Sequence, residues 1–201
     1  MARATRRPRR GSAVETRERL VGAAAAVFNR DGYFATDSNK LARAAGYSPG
    51  TFYKSFADKR ALFLAAYERW VEDEWADVGA ALVEPRPSQR GRSAAIARVV
   101  LGHHKRWAVF RANLRALVAT DEVVRDFVWA ARAKQLETMA ELRKRLRWPR
   151  RSRADDWALL LLLERVCDSL AAGEAKALGV SEDALVAVLE RALDEHVRAP
   201  R

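Results

Sequence analysis

Between positions 48 and 59 the chain brings together side chains that suit contact with phosphate and base edges. Thr51, Tyr53 and Ser55 carry hydroxyls, Lys54 carries a cation, and Lys59 follows Asp58 at what reads as a helix start. Hydroxyls donate to phosphate oxygens or to base edges, and a lysine adds a point charge. A helix start beside an ammonium offers backbone N–H groups and positive charge to an anion. No nucleophile stands beside a base anywhere in the chain, and no glycine loop has phosphate-cradling spacing. The chemistry on offer is recognition, and an enzyme is not expected.

These residues need elements to aim them. Leu41 and Ala45 are four apart and share one face of a first short helix. Thr36, Asp37 and Ser38 are good caps for it. Gly46 stops it, and Ser48-Pro49 starts another with a hydroxyl cap and proline at the first helical position. Phe52 and Phe56 turn inward, which leaves Thr51, Tyr53, Lys54 and Ser55 outward. Two helices joined by a short glycine turn make a helix-turn-helix, whose second helix lies in a DNA major groove. An ordinary helical hairpin with a solvated polar face has the same spacing. The charge distribution favours the first reading.

The 201 residues carry a net charge of +11. Residues 1–60 hold 13 Lys/Arg against 5 Asp/Glu, while the other 141 hold 24 against 21. A basic end on a nearly balanced body points to an anionic partner at that end. Nucleic acid fits better than membrane, since no stretch reaches the ~18 apolar residues of a spanning helix and no apolar segment follows the first arginines. The single cysteine, Cys167, has no partner for an internal disulfide, and a cytoplasmic setting is expected.

The sequence divides into four parts. Residues 1–11, MARATRRPRRG, read as a disordered basic arm, able to follow phosphates or enter a minor groove. Residues 12–57 form a three-helix module: Ser12 and Glu15 make a capping box, Leu20, Ala24, Val27 and Phe28 share a face, and Tyr33 and Phe34 belong to the core. Residues 58–83 are one long linking helix, with Leu62, Phe63, Ala66, Tyr67, Trp70, Val71, Trp75 and Val78 at three- and four-residue steps. Glu84-Pro85-Arg86-Pro87-Ser88 breaks the chain.

Residues 84–201 show only helical periods, so the fold class is all-α. A bend is expected at Gly102, a helix ending at Trp148-Pro149, and two last helices over 153–178 and 181–197. Leu159 to Leu163 are five leucines in succession, which go all the way round a helix and leave it no wet face. With the Leu185, Val188, Leu189, Ala192, Leu193 stripe, they predict a homodimer through the last two helices, or else a helix central to a monomer.

Taken together, Thr16-Arg-Glu-Arg-Leu, Phe28 with Asp31-Gly32-Tyr33 and Ala35-Thr36, Leu41-Ala42 with Ala45-Gly46, and Ser48-Pro49-Gly50-Thr51-Phe52-Tyr53 with Phe56, Lys59 and Leu62 resemble the amino-terminal domain of TetR-type transcriptional regulators. The resemblance is specific over about residues 14–65 and architectural beyond. It implies a homodimeric, DNA-binding repressor of a palindromic operator, released by a small-molecule effector. It implies that Thr36 binds a phosphate, that Ser48 caps the recognition helix, and that Gly50 lets that helix approach the DNA. Thr51, Tyr53 and Lys54 would meet phosphates and bases, and Lys59 a phosphate. Departures are Ser55 where His is frequent and Tyr47 where a small aliphatic is usual. Ser38 and Asn39 are polar at variable positions and add possible contacts.

An effector pocket is expected between the linking helix and residues 95–175, with Trp107, Phe110, Phe127, Trp129 and Trp157 as aromatic lining, although each also suits plain core packing. Arg111, Arg115 and Arg132 face either such a pocket or solvent. His103, His104 and the distant His196 make a poor metal set, and no metal or cofactor is expected. The alternative function is an architectural DNA-binding protein that lacks a ligand switch.

Overall fold

In the computed structural model, which describes residues 12–84 and 88–198, Ser12 opens the first helix with a reciprocal cap. Its Oγ accepts from the Glu15 backbone N–H, and its own N–H donates to the Glu15 carboxylate. The arm at 1–11 and the Pro85–Pro87 part of the break lie outside the described residues. The described elements are all helices: α1 Ala13–Asp31, α2 Ser38–Ala44, α3 Pro49–Ser55, α4 Lys59–Val83, α5 Gln89–Arg106, α6 Ala108–Thr120, α7 Glu122–Arg145, α8 Arg153–Ala171, α9 Glu174–Ala177 and α10 Glu182–Val197. None is long and apolar enough to cross a membrane. The chain divides into two compact units, Met1–Tyr67 and Glu68–Arg201, with the division inside α4.

In the first unit, Leu20, Ala24 and Phe28 of α1 close onto Leu41 and Ala42 of α2, Phe52 of α3, and Leu62 and Phe63 at the start of α4, all fully or almost fully buried. Phe63 meets Phe28 and Tyr33 edge-on, each with ring centres 5.1 Å apart. Burying each such ring contributes roughly 1.5–3 kcal/mol. Tyr33 thus joins the core edge. Phe34, expected beside it inside, is 66% exposed. Gly32 turns the chain at φ +81° after α1, and Phe34 lies edge-on against Tyr33 with ring centres 5.4 Å apart, on the solvent side of that core edge.

The second unit is built on α5, α8 and α10, whose core holds Ile96, Ala97, Val100, Leu101, Leu159, Leu163, Cys167, Leu189 and Leu193, joined by Ala81 and Leu82 of α4. Helix α5 is unbroken through Gly102 and ends at Arg106, with Trp107 as its cap, since an interior glycine alone does not break a helix. The helix expected over 153–178 stops at Ala171, where Gly173 takes φ +76° and a single turn, α9, follows. The α7 end also comes early, at Arg145, closed by Arg147 in a left-handed conformation at φ +55°. The Trp148 N–H then donates back to the Arg143 carbonyl at 2.9 Å. All six tryptophans (Trp70, Trp75, Trp107, Trp129, Trp148 and Trp157) fall in this second unit.

Candidate nucleic-acid interface and cavity

Helix α3 is aimed by its two phenylalanines. Phe52 is fully buried and Phe56 nearly so, while Tyr53 is 57% exposed and Lys54 is exposed beside it. The guanidinium of Arg17 lies 4.8 Å over the Phe56 ring and that of Arg19 lies 5.2 Å over Tyr47. Cations on aromatic faces thus brace α3 and the turn before it against α1. Gly46 makes the turn at φ +78°, and the Tyr47 N–H donates to the Ala42 carbonyl at 2.9 Å. Ser48 caps α3, its Oγ accepting from the Thr51 N–H at 3.3 Å and lying 3.2 Å from the Thr51 hydroxyl. Thr51 and Ser55 are half-buried, and Gly50 is exposed. A Cβ on Gly50 would meet only Ser48 Oγ, at 3.9 Å, so nothing in the fold itself requires glycine there.

Helix α2 begins at the Asp37 cap, whose carboxylate accepts from the Lys40 N–H at 2.8 Å. That bond, with the Asn39 N–H and the charges of Arg43 and Lys40, holds the Asp37 carboxyl below its usual range against the opposing effect of desolvation. Asn39 is exposed at the head of α2 and Ser38 half-buried. Thr36 is placed differently from the phosphate contact expected of it. It is buried, and its hydroxyl donates to the Gly32 carbonyl at 2.6 Å. Lys59 is also engaged within the fold. Its ammonium donates to the carbonyls of Tyr33 at 2.9 Å and Thr36 at 2.7 Å, and lies 4.1 Å from the Tyr33 ring centre. Burial lowers its pKa, with Asp37 opposing. Of three ammonium N–H bonds, one remains for an outside acceptor.

In the second unit, a cavity of about 100 Å³ opens between α4, α5, α7, α8 and α10. Its wall is apolar, with Trp75, Val78, Ile96, Met139, Leu142 and Trp148, and includes Glu74, His104, Arg143, Glu164 and His196. None of the five aromatics expected to line a pocket reaches it. Phe110 is buried in the core with Trp107 edge-on at 6.0 Å. Phe127 is half-buried. Trp129 and Trp157 line an open surface groove between α7 and α8, where Trp129 is 58% exposed and Arg132 lies 5.2 Å over Trp157. Helical spacing shows which aromatics share a face, and it does not say which neighbour that face meets.

The charges behind the cavity are paired. Asp168, almost fully buried, accepts from Arg111 at 2.6 and 3.2 Å, from Arg115, and from His104 Nδ1 at 2.8 Å. Burial alone would raise its pKa. The His104 and Arg111 hydrogen bonds outweigh that and hold it well below the carboxylate range. Glu164 pairs with Arg132 at 2.7 Å. Asp156 takes Arg143 through both terminal nitrogens and His196 at 2.8 Å. Among the described residues, no group of His, Cys, Asp or Glu is placed to hold a metal ion. The Cys167 thiol is buried, and desolvation pushes its pKa up to about 12.

Residues 20–66 match the family model described as bacterial regulatory proteins, tetR family. No curated protein matches the sequence significantly. Among solved structures, one described as a TetR-family transcriptional regulator from Rhodococcus sp. superposes with a TM-score of 0.74 at 21% identity, covering 92% of this chain and 100% of that one. A transcriptional regulator from Saccharomonospora viridis, solved in complex with choline, gives 0.68 at 19% identity over 93% and 100%. A TetR-family regulator from Mesorhizobium loti gives 0.64 at 18% over 93% and 95%. At these identities the likeness is one of fold.

Proposed function

We propose, from the match of residues 20–66 to the family model of bacterial regulatory proteins, tetR family, that the chain is a sequence-specific, DNA-binding transcriptional repressor of that family, released by a small molecule. The observation that carries this is α3: its phenylalanines are buried while Tyr53 and Lys54 stand outward beside Thr51 and Ser55 on a basic amino-terminal unit. In the reading we favour, Thr51, Tyr53, Lys54 and Ser55 meet bases and phosphates, Gly50 permits close approach, and Ser48 caps the helix. Ser38 and Asn39 add contacts from the head of α2. Thr36 and Lys59 hold the loop before α2, and Lys59 has one N–H left for phosphate.

We place the partner copy on α8 and α10, where Leu161 is 43% exposed and Leu160, Leu162, Val186 and Val188 are only half-buried. Two copies give two recognition helices, and hence a palindromic operator. The effector would occupy the cavity of the second unit and favour a spacing of the recognition helices that no longer fits successive grooves. A neighbour of the same fold, solved in complex with choline, supports the view that a protein of this fold takes up a small molecule.

Selection of duplexes from a random pool at physiological salt tests the reading directly. A repressor enriches one palindrome. Affinity that follows salt and ignores sequence would instead assign the five-arginine amino terminus the leading role in an architectural protein. Sedimentation equilibrium at micromolar protein checks the dimer.

A further inference from the structure

The cavity wall of the second unit holds one acid that its neighbours leave unmatched. Glu74 sits on α4 in register with Trp70 and Val78, and its Oε1 is buried with no hydrogen-bond donor. The other wall charges are already answered: Glu164 by Arg132, and Arg143 and His196 by Asp156. Ser93 donates to Asp194 at 2.6 Å. His104 Nε2 lies 3.6 Å from Glu74 Oε1, beyond a hydrogen bond. The other nitrogen of that ring bonds Asp168, which is kept ionised by Arg111 and Arg115 and therefore only accepts. His104 Nδ1 must then carry the proton, and Nε2 is left as an acceptor. Once Glu74 is ionised, two acceptors stand 3.6 Å apart in the cavity wall, with apolar surface around them and no donor between them.

We propose that this cavity binds an apolar molecule carrying one primary or secondary ammonium, whose N–H bonds go to Glu74 Oε1 and His104 Nε2. The ammonium supplies both missing donors, and the hydrocarbon part lies along Val78, Ile96, Met139, Leu142 and the rings of Trp75 and Trp148. An acidic ligand finds no spare cation here, since Arg111, Arg132 and Arg143 each hold a carboxylate. Burial pushes the Glu74 carboxyl up to about 8, against the pull of Arg111 and with Glu164 and Asp168 adding to the rise. Below that pH the group is neutral, and binding exchanges its proton for the ammonium: Glu74 gives one proton to solvent and keeps the cation as its counter-charge. The assignment rests on the effector reading only for its consequence at DNA, and the binding itself is tested without DNA.

Titration calorimetry on the full chain compares three molecules of one chain length: n-octylamine, 1-octanol and octanoate. At pH 8 the amine should bind at least about tenfold more tightly than the alcohol, and octanoate most weakly. Between pH 6 and 8 the amine affinity should rise by up to about tenfold per pH unit, with close to one proton released per molecule bound. Glu74→Gln keeps the shape of the wall and should leave amine and alcohol nearly equal. Equal binding by wild type, tighter binding of octanoate, a preference that survives Glu74→Gln, or no binding of any of the three would overturn the assignment. An amine that binds in this way but leaves operator affinity unchanged would overturn the release mechanism and leave the cation site standing.

Discussion

The ammonium of Lys59 donates to the carbonyl of Thr36 across 2.7 Å, and so ties the first turn of α4 to the loop that leads into α2. The same ammonium holds the Tyr33 carbonyl, and the Thr36 hydroxyl returns to Gly32. The loop is thereby fixed at both ends, next to the residues proposed to meet DNA.

Lys59→Ala should therefore act twice. Losing two charge-assisted bonds should cost about 1–2 kcal/mol of stability in urea unfolding. Operator binding should weaken as well, with the salt slope reduced by about one counterion per subunit. A lost phosphate contact alone would leave the unfolding midpoint where it was.

Gly50 separates fold from function more cleanly. With only an ordinary contact to Ser48 Oγ at 3.9 Å for an added Cβ, Gly50→Ala should leave the melting temperature unchanged or slightly raised, since alanine favours the helix by about 0.5–1 kcal/mol. Operator affinity should nonetheless fall at least about tenfold if α3 approaches the duplex closely at this point. Unchanged affinity in a gel-shift titration would remove Gly50 from the interface.

Asp168 gathers Arg111, Arg115 and His104, and Arg111 is only 4% exposed. Asp168→Asn leaves that guanidinium buried with only the longer Glu164 pair, at 4.0 Å, as counter-charge, which should cost about 3 kcal/mol in denaturant unfolding. A loss below about 1 kcal/mol would mean that Arg111 reaches water when its partner is removed.

Glu74 gives a pH dependence of definite sign. Its carboxyl has an ordinary value of 4.5 and is pushed to about 8 by burial in the fold. Between those values the folded chain keeps a proton that the unfolded chain has lost. Stability then falls as pH rises through this window, by up to about 1.4 kcal/mol per unit from this group. Glu74→Gln should be little different from wild type at pH 5 and more stable at pH 8. A gap that does not widen between the two pH values would count against a neutral Glu74.

The amino-terminal elements were legible because local chemistry decides them. Ser12 with Glu15, Gly46, and Ser48-Pro49 specify caps and turns within four residues of themselves. Phe34 is exposed although its hydrophobicity suggests the core, because its ring rests on the outer side of Tyr33 and composition alone does not show which of two adjacent rings is covered. The five expected pocket aromatics do not line the cavity of the second unit, for the related reason that a face is local and its neighbour is not. Glu74 carried a readable signal, a carboxylate four residues from both Trp70 and Val78 on an otherwise apolar stripe, and its burial follows from that register. The engagement of Lys59 with Tyr33 and Thr36 joins residues more than twenty apart, and no spacing rule reaches that far.

The placement of every tryptophan beyond residue 67 has a practical result. Indole emission, excited selectively at its red edge, is silent about the helix-turn-helix and watches the other half of the molecule alone. Far-ultraviolet dichroism watches both halves. If the halves melt separately, the two optical signals will part company on a single heating ramp, with no label added to the chain.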